Sequence, residues 1–150
     1  MTDDLSKQLL ELRKSTDELN VLTDRANELV RRTEQYLIEE CRVGGPVYVH
    51  VASMDEPVVE EAGPGAPEWS TYLGYDRYKG ELRIVVSHVV EGDEHEVKAW
   101  AECSRDIKLD TLDVLPKVIQ ELLKKVRKQV AGVKATVDLL DSMIPASRKG

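Results

Sequence analysis

Leu112, Ile119, Val126, Val133 and Leu140 recur every seven residues near one end of the chain. Pro116, Leu123, Val130, Val137 and Ile144 form a second seven-residue series offset by four. Together they are the two core positions of a heptad kept for about four repeats, which only an α-helix can present as one apolar stripe. Asp110 or Asp113 is the expected N-cap, the second placing Pro116 in or near the tolerant first turn, and Pro145 marks the end. The stripe has two readings, a helix packed on the core of its own domain or one packed on another chain.

The opening segment has a similar design. Leu5, Leu9, Leu12, Leu19, Leu22, Ala26, Leu29, Val30 and Leu37 follow steps of mostly three and four, without Pro or Gly, which predicts a helix from Leu5 to about Cys41. Glu28 and Arg32 form an i,i+4 pair of favourable polarity, and Gly44-Gly45-Pro46 is the stop signal. At 1.5 Å per residue the two helices measure roughly 55 and 50 Å, longer than a ten-residue strand of about 33 Å. Thr16, Thr23 and Thr33 interrupt the first stripe, so it matches the second only in part.

Between the helices the period changes to two. Pro46 to Ala52 alternates as a strand; Trp69 to Tyr78, Glu81 to Val90 and Glu94 to Cys103 read as three more. Lys79-Gly80 and Gly92-Asp93 supply turn residues, which makes consecutive hairpins the natural pairing. The predicted fold is α+β, in the order α-β-β-β-β-α, with a four-stranded antiparallel meander. An even number of antiparallel strands returns the chain to the end where it entered, so the helices are expected antiparallel to each other and packed on one face of the sheet. Residues 1–150 are expected to form a single domain, with 55–68 as an acidic Pro/Gly-rich loop between strands 1 and 2 and 145–150 as a disordered tail.

Charge narrows the functional classes. A formal net charge of −7 and an acidic start, Met1-Thr2-Asp3-Asp4, speak against bulk attraction to nucleic acid or anionic lipid and against a secretory leader. The longest apolar run, Ile84 to Val90, is broken by Ser87 and His88 and far shorter than the roughly 20 residues of a membrane span. Two cysteines make no disulfide framework. The expected location is cytoplasmic, with no membrane association.

No motif for catalysis stands out, and no cofactor or metal is expected. His50, His88 and His95 lie on predicted strands without the spacing of a ligand pair, and read as ordinary sheet histidines. Cys41 and Cys103, both expected near one end of the sheet, read as structural thiols. The carboxylates Asp55, Glu56, Glu60 and Glu61 lack the glycine turn and ligand spacing of a calcium loop. Glu102-Cys103-Ser104-Arg105-Asp106 has no histidine placed as a base, and Ser104 or Asp106 serves better as a turn or cap residue.

Two surfaces are left. Lys124, Lys125, Arg127 and Lys128 form the one basic patch, on the heptad helix, where Glu121 pairs naturally with Lys125. The aromatic residues concentrate on the sheet, and there is no Phe. Alternation assigns Val47, Val49, Val51, Ile84, Val86, Val97, Ala99 and Ala101 to an aliphatic, helix-covered face. Tyr48, His50, Tyr72, Asp76, Arg83, Val85, Val89 and Trp100 fall on the opposite face. Tyr48, His50, Tyr72, Val85, Val89 and Trp100 form the candidate interaction surface, because Tyr and Trp combine large contact area with a polar tip. The candidate helix interface is Leu112, Ile119, Leu123, Val126, Val130, Val133, Val137 and Leu140.

In layout alone the chain resembles nucleoid-associated helix–sheet–helix proteins and, more loosely, acidic secretion chaperones, both small and dimeric. The expectation that follows is a non-catalytic interaction module, an adaptor, chaperone-like or regulatory protein, acting as a homodimer with a protein partner. The alternatives are nucleic-acid binding through the basic patch, which the acidic balance disfavours, and a small-molecule binder or enzyme using the aromatic face.

Overall fold

The computed structural model describes residues 2–54, 69–90 and 95–145. Its elements are α1 (Thr2–Glu39), β1 (Val47–His50), β2 (Trp69–Tyr78), β3 (Glu81–Val90), β4 (His95–Ala99), α2 (Arg105–Leu112) and α3 (Leu115–Met143). Single 3₁₀ turns at Ala52–Met54 and Trp100–Glu102 follow β1 and β4. The four strands pair antiparallel in sequence order, so the fold is the expected α+β arrangement of helix, meander and helix. The acidic segment 55–68, the Gly92-Asp93 turn and residues 146–150 lie outside the described residues.

The β2–β3 hairpin forms where its sequence demands. Lys79 and Gly80 both take positive φ (51° and 84°), which a two-residue turn needs to match the twist of its strands. Helix α1 ends earlier than its Gly-Gly-Pro signal. Arg42 takes φ 53°, the left-handed conformation that reverses a helix end, and Val43 N–H returns to the Leu37 carbonyl at 3.2 Å. Glu28 pairs with Arg31 at 2.8 Å, one residue short of the expected Arg32.

The structure corrects three boundaries. β1 is Val47–His50 and stops short of Ala52. β4 ends at Ala99 and not at Cys103, because the chain leaves the sheet in the Trp100–Glu102 turn. The heptad segment is also not one helix. Ser104 caps a short helix, α2, through its hydroxyl to the Ile107 N–H, and Asp113 is that helix's C-cap. α3 then starts at Leu115 with Pro116 in its first turn, so Leu112 belongs to α2. Pro116 lacks an N–H and favours a new helix start over a continued one.

The core lies between helices and one sheet face. Val47 stands beside Tyr75 and Ile84, and Val49 beside Leu73 and Val86, in rows across β1, β2 and β3. α1 adds Val30 and Leu37, packing mainly on β3; α3 adds Leu115, Val118 and Leu122, packing on β1 and β2. Trp100 is buried in the same cluster and donates its indole N–H to Thr111 of α2 at 3.0 Å. Glu34 of α1 closes the sheet edge beyond the last β3–β4 pair. Its buried carboxylate accepts the Ile84 N–H at 2.8 Å and Arg83 Nε at 3.0 Å. Among the described residues no hydrogen bond or ion pair joins α1 to α3; α1 is tied instead to α2, by Arg105 to Asn20 and by Lys108 to Asn27. No helix among the described residues is long and apolar enough to cross a membrane.

Candidate interaction surfaces

Both long helices outrun the sheet. The buried residues of α1 are Thr23, Val30, Glu34 and Leu37, all in its second half. Leu5, Leu9 and Leu12 in the first half are 57–62% exposed, and so is Leu22 just past the middle, at 57%. In α3 burial ends at Leu122, and beyond it Leu123, Val130, Val133, Val137 and Leu140 are 48–61% exposed. The heptad stripe is therefore not what holds the sheet: the buried Leu115, Val118 and Leu122 each lie one residue before a heptad position, while Pro116, Ile119 and Leu123 on the stripe are exposed. Among the described residues the stripe from Leu123 to Leu140 has no buried position, and Val126 is half-buried.

Free α3 leaves the body beside β1. Lys125 Nζ donates to the Pro46 carbonyl at 3.2 Å, and Lys124 pairs with Glu121 at 3.2 Å, where Lys125 was the expected partner. Val47, Tyr48, Glu121, Lys124, Lys125 and Lys128 line a shallow hollow of about 390 Å³ there. The basic patch is thus partly used in fastening α3 to the sheet, while Arg127 and Lys128 stay exposed.

The second surface is the sheet face away from the core. One row across it runs Tyr48, Gly74, Val85, Ala99, and the next runs His50, Tyr72, Ser87, Val97. Gly74 and Ala99 keep the first row low. The Tyr48 ring lies over Gly74 so closely that a Cβ there would strike it and the Val47 carbonyl. The result is a groove of about 710 Å³ lined by Tyr48, Tyr72, Asp76, Tyr78, Val89 and Val97 among others. Tyr48 OH donates to Asp76, and burial together with that acceptor holds the phenol above the usual tyrosine range. Tyr78 OH donates to Glu102 at 2.7 Å, and His50 packs on Tyr72 with ring centroids 5.4 Å apart.

The structure sorts the residues expected on this face. Tyr48, His50, Tyr72, Val85 and Val89 share it, but Val85 is the buried floor and offers no contact. Trp100 is not there. It is buried on the helix side, because β4 pairs Ala99 with Val85 and Val97 with Ser87. That register moves Val97 and Ala99 from the aliphatic face to the groove face, a one-residue shift that exchanges sides. Tyr78, with its hydroxyl tied to Glu102, is the wall that alternation could have found, since it lies two residues beyond Asp76 on the same strand.

Among the described residues the groove brings no histidine within reach of Ser87. Ser87 is buried, and His50 sits two strands away, a separation of about 10 Å at the usual strand spacing. His88 points to the other face, where Nδ1 lies 3.0 Å from Thr71 Oγ1. Cys41 is exposed and Cys103 buried, both as free thiols, and burial pushes the Cys103 thiol up. Among the described residues no group of three or more His, Cys, Asp or Glu could hold a metal ion. Compared with protein-family models, curated proteins and solved structures, the chain matches none.

Proposed function

We propose that this chain is a non-catalytic protein-interaction module, of adaptor, chaperone-like or regulatory type, that works as a homodimer. The observation that carries the reading is the heptad stripe from Leu123 to Leu140, apolar, regular and, among the described residues, without a buried position. Folded monomers seldom leave a contiguous apolar strip of this length in water, and a heptad is shaped for another helix. A second copy is the partner always present at matching concentration. The tyrosine-lined groove supports the same reading as the face left for a different protein, since tyrosine rings with tethered hydroxyls give contact area at low entropic cost.

Light scattering on the purified chain and on a Val130→Glu/Val137→Glu variant tests it. Neither valine is buried in the protomer, so the variant keeps its fold by circular dichroism. The expected result is a dimer for the parent chain and a monomer for the variant; a parent chain that is monomeric throughout the micromolar range refutes the reading.

A further inference from the structure

The free half of α3 carries its charges in an order that specifies how two copies meet. With Val126, Val133 and Leu140 in one core series and Val130, Val137 and Ile144 in the other, the flanking position just after the first series holds Arg127, Lys134 and Asp141. The flank on the other side of the stripe, just before the second series, holds Gln129, Thr136 and Met143, none charged. Flanking charges set partner and direction in a coiled coil. In a parallel pair each flank meets the opposite flank of its neighbour, so these charges would face uncharged residues, and the basic cluster at 124–128 would lie beside its own copy. In an antiparallel pair the charged flank meets itself in reverse order.

We infer that α3 pairs antiparallel with α3 of a second copy, about a twofold axis near Ala135. The inference rests on the homodimer reading and names its interface. The layers are Val126 with Ile144, the extended C-cap just past the helix, then Val130 with Leu140 and Val133 with Val137, followed by the same three in mirror order. Arg127 of each chain faces Asp141 of the other, and Lys134 meets its own copy across the axis. Two opposite pairs thus stand against one like pair. This register also uses only the stripe beyond Lys125, the residue that fastens α3 to Pro46, so the two sheets are held apart at opposite ends of the helix pair. The interface is isologous and closes at two chains, as a twofold contact must. Its helical overlap, Val126 to Met143, is about 27 Å, short for a permanent dimer, so association is read across a concentration series.

A charge exchange tests it. Arg127→Glu with Lys134→Glu makes the flank wholly acidic, and Asp141→Lys in a separate chain makes it wholly basic. All three side chains are exposed in the protomer, and circular dichroism confirms that each variant folds. Each variant alone is expected to dimerise about tenfold more weakly or worse, because every flanking contact becomes like-charged. Mixed one to one, they are expected to form a heterodimer at least as tight as the parent dimer, seen by native mass spectrometry. A parent dimer whose variants still self-associate unchanged, or fail to pair when mixed, overturns this interface and leaves the homodimer standing. A parent chain that never dimerises overturns both.

Discussion

At the scale of single residues, the charged and polar side chains do more to fix the fold than the sequence advertises. Glu34 lies within an amphipathic helix, where a carboxylate reads as solvated. It is in fact buried, and it supplies the acceptor that the Ile84 N–H loses when β4 turns away at Ala99. Glu34→Ala leaves that N–H and the Arg83 guanidinium without their partner, at an expected cost of about 2–3 kcal/mol. Urea unfolding measures it, and a loss below about 0.5 kcal/mol, the range of an ordinary surface change, would contradict the role. The cysteines give a second check. Cys103 is buried with its thiol pushed up, while Cys41 is exposed. Iodoacetamide at neutral pH is expected to label Cys41 and spare Cys103 until denaturant is added, as peptide mass mapping would show. Trp100, Val97 and Ala99 are the residues that sequence reading misplaced. Alternation carried Trp100 to the outer face and the other two to the inner one, but β4 pairs Ala99 with Val85 and Val97 with Ser87, which exchanges the sides and leaves the indole inward against Thr111. A single sequence does not fix that register, which follows from how β4 pairs with β3.

At the scale of elements, the legible parts were those whose side chains repeat. β2 and β3 emerge with the predicted boundaries because both are rich in strand-forming residues and Lys79-Gly80 supplies the two positive φ angles of the tight turn between them. The split between α2 and α3 was hidden, since Leu112 and Pro116 continue the heptad in sequence while the backbone restarts between them. The groove was half legible: its tyrosines stood in the pattern, but its floor depends on Gly74 and Ala99 sharing a row with Val85, which only the register supplies. The helices themselves make a prediction at this scale. A helical segment of under 20 residues with its side chains exposed all round is only marginally stable in water. Amides in 127–143 are therefore expected to exchange much faster than those of β2 and β3 in dilute solution and to gain protection as concentration rises. Hydrogen exchange with mass spectrometry reads this directly. Equal exchange at all concentrations would mean that nothing covers α3.

At the scale of the whole molecule, the body and the extensions have separate tasks. The sheet, the second half of α1, α2 and the first turns of α3 form the core, and that part accounts for the buried residues. Among the described residues the extensions bury no part of their apolar stripes, and that excess is what the proposed dimer would cover. The chain's net charge of −7 keeps bodies apart in general, so association must be specific, through a stripe whose local charges are arranged to allow it. Sedimentation equilibrium of the unmodified chain across the micromolar range puts this to the most direct test. The mass should rise with concentration from 16.9 kDa towards twice that value and no further. A mass fixed at 16.9 kDa, or one that climbs beyond two chains without a plateau, would contradict a closed dimer built on α3.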